Sequence, residues 1–220
     1  MKITGKNLLV AGCSVSDYTE VEQTYGEHLA KHLNLNYIHR AAGCGSNWRM
    51  WRVIFDAVNN NIITPEDLII VQYTEITRTE FWSDTSGNWT LEDPLDTGGV
   101  MIRWKMDAHE WTPNINSRPL FREYLKHIDL NVEWNKFLQH HTMFQCFMKE
   151  RGFKNLYFLV APGYSFKDAK ANRNVIVEDF YKDNVISYNR MFRHANADGF
   201  HMNETGHDLL GKHLAQMFLT

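Results

Sequence analysis

The chain has 220 residues, 44% hydrophobic and 22% charged, an ordinary globular composition with enough length to bury one large core. Its 23 basic against 26 acidic residues leave a net charge of −3, which speaks against nucleic-acid or polybasic membrane binding as the function. An odd count of 3 cysteines cannot close a disulfide framework and fits a reducing compartment, and no apolar run is long enough for a transmembrane helix.

Lys2 and Lys6 imitate the basic start of a secretion signal, but Leu8–Gly12 is too short for its apolar segment, so a cytoplasmic location is expected. Leu8–Ala11 reads instead as a buried first strand. Tyr18–Leu33 follows with Val21, Tyr25, Leu29 and Leu33 at helical spacing, then Asn36–His39 as a second strand. Asn47–Val58 carries Met50, Trp51, Ile54 and Val58 on one helical face. Leu68–Gln72 is the strongest strand, because successive aliphatics without alternation imply burial on both faces. A long helix is expected within Glu123–Arg151, a fourth strand over Leu156–Val160 and a fifth over Val185–Tyr188. A last helix is expected over Asn203–Phe218, with Leu209, Leu210, Leu214 and Phe218 as its apolar stripe. Such alternation predicts an α/β/α sandwich of flavodoxin type, one domain over residues 1–220, around a parallel sheet of about five strands.

Two stretches interrupt the alternation. Phe81–Pro119, an aromatic-rich insertion, holds Trp82, Trp89, Trp104 and Trp111 among polar residues, and Pro162–Asn184 is polar with Tyr164, Phe166 and Lys182. Long loops after strand C-termini usually shape the ligand site in such folds. For any single tryptophan, packing of the insertion onto itself is the simpler account.

Three motifs carry chemistry. Gly12-Cys13-Ser14-Val15-Ser16 follows the first strand, where a serine can present its hydroxyl at the sheet edge or simply cap a helix. Ala41-Ala42-Gly43-Cys44-Gly45-Ser46-Asn47 precedes a helix start and offers glycines for a close backbone approach. Asp198-Gly-Phe-His201 places a carboxylate where it can hold an imidazole by one ring nitrogen and leave the other for a substrate.

In this order the three motifs resemble the blocks of the SGNH (GDSL-like) hydrolase family, with Cys13 where the familiar form has aspartate and Gly206-His207 close behind the last block. The third block departs from that pattern. Val71-Gln72-Tyr73-Thr74-Glu75 stands where the family usually has Gly-x-Asn-Asp, so its oxyanion-holding asparagine is missing, and Thr74 or Asn47 is the candidate donor in its place. The resemblance implies an SGNH-type serine esterase acting on carboxylic esters, including O-acetyl groups on carbohydrate, through an acyl-enzyme. Ser14 is then the nucleophile, His201 the base and Asp198 its orienting carboxylate. Gly45 holds the oxyanion beside the Ser14 amide, with Thr74 or Asn47 as third donor, and Arg78 and Trp82 contact substrate. No cofactor or metal is implied, nor any nucleic-acid or membrane partner, and similar compact chains belong to bacterial and phage genomes.

Two rivals stand beside this reading. The count of 11 histidines invites a metal site around His194, Asp198, His201 and His207, but no ligand spacing of a known kind occurs. His140, His141, His207 and His213 read as surface or helix-boundary residues. The second rival is a glycan-binding protein of the same fold with little or no catalysis, in which the Trp, Tyr and Arg of the insertion grip the sugar; an ion pair of Arg78 with Glu80 that pins the insertion accounts for those two residues equally well.

Overall fold

A computed structural model describes residues 3–17, 21–43, 45–74, 79–82, 99–102, 127, 129–160, 185–187 and 201–219. Five parallel strands form one sheet: β1 (Asn7–Ala11), β2 (Asn36–His39), β3 (Leu68–Tyr73), β6 (Leu156–Val160) and β7 (Val185–Ser187), in the order β2-β1-β3-β6-β7. The remaining two, β4 (Thr79–Trp82) and β5 (Gly99–Ile102), pair antiparallel inside the aromatic-rich insertion. The alternation of elements gave no sign of this pair. The helices are α1 (Tyr25–Leu33), α2 (Asn47–Asn59), α3 (Leu130–Glu150) and α4 (Glu204–Leu219).

The central strands are apolar runs because both of their faces are covered. Every residue of β3 is buried, and it registers Ile69 against Leu9 on one side and against Leu156 on the other. Edge strand β2 is only half-buried. Alternate residues point to opposite layers, as the pleat requires. Tyr157 meets Phe218 of α4 at 4.6 Å between ring centroids, whereas Phe158 lies among Tyr73, His141 and Phe144. Helices α1 and α4 therefore cover one face, and α2 and α3 the other. On the second face Trp51 and Phe55 of α2 meet Phe137 and Phe144 of α3 at 5.6 and 5.5 Å.

The strand order places the site. The chain steps from β1 outward to β2, then reverses across β1 to reach β3, and right-handed crossovers put the two connecting helices on opposite faces. That reversal opens a crevice beyond the C-terminal ends of β1 and β3, where ligands of open α/β sheets bind.

Helix boundaries differ from the periodicity. Helix α1 starts at Tyr25, not Tyr18, because Thr24 and Glu27 form a reciprocal capping box that satisfies the first free N–H groups. Asp129 caps α3, accepting from Asn131 N and Val132 N, while 123–126 lie outside the described residues. In α4, Leu210, Leu214 and Phe218 are buried but Leu209 turns outward.

Candidate active site

Beyond β1 the chain closes a tight turn, with Ser16 N donating to Cys13 O at 2.8 Å. The half-buried Ser14 sits on this turn, and its Oγ lies 2.9 Å from His201 Nε2 across 187 residues of sequence. When Nε2 is unprotonated, the serine hydroxyl donates to it. His201 is held from behind: Met202 is fully buried, and Asn203 caps α4 by accepting from Gly206 N at 3.1 Å. Among the described residues the Ser14 N–H has no intramolecular acceptor. That free donor is what a developing oxyanion beside Ser14 would use.

The β2–α2 loop is stitched to the Ser14 turn. Ala42 N donates to Gly12 O at 3.1 Å, and a Cβ on Gly45 would stand only 2.9 Å from that same oxygen. Gly45 is a glycine because the two loops touch there. Its amide, expected to face an oxyanion, donates instead to Ala42 O at 2.9 Å, so in this geometry Gly45 contributes contact rather than a free donor. Asp17 fastens the loop from the other side, accepting from Gly43 N at 2.8 Å and lying 3.0 Å from His39 Nε2. The hydrogen bond with His39 holds the Asp17 carboxyl below its ordinary value; burial opposes the shift and the Gly43 amide adds to it.

The fold brings Thr74 and Asn47, the two residues between which the sequence left the third donor open, into direct contact. The Asn47 carboxamide is committed to the Thr74 backbone, Oδ1 accepting from Thr74 N at 2.9 Å and Nδ2 donating to Thr74 O at 3.0 Å. Asn47 is thus the clamp and Thr74 the clamped residue. The Thr74 hydroxyl, by contrast, is buried with no hydrogen-bond partner among the described residues.

Gln72 was missed. It is fully buried, its Nε2 donating to Tyr73 O at 2.6 Å while its Oε1 accepts from Cys13 N at 3.1 Å and Ser16 Oγ at 3.3 Å. The signal was present, since a glutamine inside Leu68–Tyr73 must find buried partners. Two histidines read as surface or boundary residues are fully buried. His207 Nδ1 accepts from Tyr25 N at 3.0 Å, and His141 Nδ1 lies 2.6 Å from the Tyr73 hydroxyl. Both are buried because they complete hydrogen bonds inside the helix layers. Among the described residues no group of three or more His, Cys, Asp or Glu is placed to hold a metal, and no helix is long and apolar enough to cross a membrane. Asp198, Arg78, Cys44, His194, Tyr164, Phe166 and Lys182 lie outside the described residues. Trp82 ends β4, while Trp89, Trp104 and Trp111 are also outside. Cys13 is buried and Cys146 exposed, both as free thiols.

Neither a family model nor a curated protein matches the sequence. Solved structures do. A lipolytic protein of the G-D-S-L family from Veillonella parvula superposes with a TM-score of 0.52 at 11% identity, covering 97% of this chain and 98% of its own. The psychrotrophic esterase EstA from a Pseudoalteromonas species superposes at 0.53 and 9% identity, over 96% and 95% of the two chains. A carbohydrate esterase family 2 enzyme with a carbohydrate-binding domain, from Corynascus thermopiles, superposes at 0.52 and 10% identity over 99% of this chain and 67% of its own. In fold, the chain is an α/β/α sandwich of the SGNH (GDSL-like) type. That likeness was expected from the motifs, and the superpositions bear it out at the level of the fold.

Proposed function

We propose that the protein is a serine ester hydrolase. The observation that carries this reading is the 2.9 Å contact between Ser14 Oγ and His201 Nε2 at the C-terminal edge of the sheet. Ser14 attacks the acyl carbonyl while His201 takes its proton, forming a new C–O bond and a tetrahedral oxyanion. The Ser14 N–H and the Thr74 hydroxyl hold that oxyanion. On collapse the ester C–O bond breaks, and His201 returns the proton to the leaving alcohol. Water then hydrolyses the acyl-serine by the same route, and Asp198 orients His201 throughout. All of these steps use side chains and backbone of the chain itself.

O-acetyl groups on carbohydrate are the proposed substrate. Hydroxyl partners for a sugar are offered by Asp84, Asn88, Asp93, Asp96, Asn114 and Asn116, with Arg78 and Trp82 as contacts. A glycan-binding protein would need a pocket but no serine hydroxyl within hydrogen-bond distance of an imidazole, and that contact favours the hydrolase.

The test combines fluorophosphonate labelling with hydrolysis of p-nitrophenyl acetate, butyrate and octanoate, and circular dichroism verifies folding. Wild type is expected to label at Ser14 and to prefer acetate. Ser14→Ala and His201→Ala should lose labelling and turnover while staying folded, since removing a turn serine costs at most about 0.5–2 kcal/mol. Full activity in Ser14→Ala rejects the assignment.

A further inference from the structure

The nucleophile turn rests on a hub that no catalytic role has yet claimed. Gln72 leaves the C-terminal end of β3 beneath the turn, and its carboxamide is fixed in one orientation because Nε2 donates to Tyr73 O at 2.6 Å. Its Oε1 must then face the turn. There it accepts from Cys13 N and Cys13 Sγ, both at 3.1 Å, and from Ser16 Oγ at 3.3 Å. These partners are the residue before Ser14 and the residue two after it, so the hub brackets the nucleophile on both sides. Ser16 Oγ also lies 2.8 Å from the Tyr25 hydroxyl, and Tyr25 N donates to His207 on the helix that follows His201. Buried hydrogen bonds at the two ends of Tyr25 thus tie the Ser14 turn to the helix that follows the base. Space is tight as well: a Cβ on Gly12 would collide with the Ser16 hydroxyl and stand 3.1 Å from the Gln72 Cβ.

We propose that Gln72 is the positioning residue of the nucleophile, holding the Ser14 turn so that Oγ meets His201 and the Ser14 N–H faces the oxyanion. The proposal rests on Ser14 being the nucleophile. A geometric error of an ångström costs catalysis much more than it costs binding. Replacing Gln72 should therefore lower kcat and leave KM alone.

The experiment measures kcat and KM for p-nitrophenyl acetate, the rate of fluorophosphonate inactivation and the melting temperature of wild type, Gln72→Met, Gln72→Glu and Ser16→Ala, with Ser14→Ala in parallel. Gln72→Met is expected to lose at least tenfold in kcat and in inactivation rate, with KM within threefold. Gln72→Glu should rescue most of the loss at low pH, where a neutral carboxyl copies the carboxamide's donor and acceptor, and its ratio to wild type should fall as pH rises. Ser16→Ala removes one hydroxyl from the hub and should cost about threefold in kcat alone; it decides the matter if Gln72→Met does not fold. Folded variants with wild-type kcat, or losses confined to KM, overturn the positioning role. Activity retained in Ser14→Ala would instead overturn the hydrolase reading beneath it.

Discussion

Burying a hydroxyl without a partner costs about 1–3 kcal/mol, and Thr74, just past β3, carries a buried hydroxyl with no partner among the described residues. The asparagine clamp shows that the position is held deliberately, because Asn47 spends both ends of its carboxamide on the Thr74 backbone. An unpaired donor held this way is suited to a charge that appears only in the transition state. Thr74→Val keeps the shape and removes the hydroxyl. Its kcat should fall about 10²–10³-fold, the usual loss for one oxyanion donor, while its melting temperature stays level or rises. Thr74→Ser should recover most of the rate. Unchanged ester hydrolysis in a folded Thr74→Val would remove Thr74 from the site. Thr74 was legible from its place after the third apolar strand, as was Ser14 after the first. Asn47 was only half legible: the sequence marks a polar side chain at a helix start, but its partner lies 27 residues away and is set by the pairing of β1 with β3. Gln72 could have been found by asking where a glutamine in a buried strand sends its hydrogen bonds.

The central strands were legible because parallel strands covered on both faces are continuous apolar runs, and β6 falls on the expected residues, as does the half-buried edge strand β2. Helix ends were less so. Apolar spacing around Val21 continues that of α1, yet the capping box at Thr24 and Glu27 stops the helix there. Nor could spacing show how closely two helices cross. At Gly211 of α4 an added Cβ would lie 2.6 Å from His28 Cβ and 3.0 Å from Tyr25 O on α1. Alanine is the better helix former by about 1 kcal/mol, but overpacking costs about 1–3 kcal/mol, so the contact outweighs the propensity. Gly211→Ala is expected to lower stability by about 1 kcal/mol, or about 2–4 °C in melting temperature for a chain of this size. A thermal melt is the check, and a higher melting temperature would mean that the helices slide apart freely. This crossing sits beside the Tyr25–His207 bond, so a shift should also reach His201 and lower ester turnover.

Acid should unfold the molecule through two imidazoles that take no part in the chemistry. Trp51 Nε1 donates to the Tyr73 hydroxyl at 2.9 Å; because indole can only donate, the tyrosine proton is left to point at His141 Nδ1. Tyr25 N–H likewise points at His207 Nδ1. Both imidazoles are acceptors and must be neutral. Burial pushes His141 down from 6.5 to about 3, and burial, opposed by Glu204 and helped by His28 and His201, pushes His207 down to about 4. Unfolding frees both to take a proton at their ordinary value, so the unfolded chain binds more protons wherever the pH lies between the folded and ordinary values. Stability is whole above pH 6.5. It falls as pH drops, until about pH 4 for His207 and about pH 3 for His141. Each imidazole removes at most about 1.4 kcal/mol per pH unit within its window, a large share of a domain's usual 5–15 kcal/mol by about pH 4.5. Asp67, held below its ordinary value by hydrogen bonds from Asn7, Thr64 and Lys6 against the opposing effect of burial, adds loss of the same sign at lower pH. The urea midpoint, followed by tryptophan fluorescence at pH 7, 6, 5 and 4.5, should decline steadily. His207→Asn keeps an acceptor for Tyr25 N–H and cannot titrate, so its decline should be shallower by about one proton. Equal midpoints at pH 7 and 4.5 would show that neither buried histidine is held neutral by the fold, and equal slopes in variant and wild type would show that His207 is not.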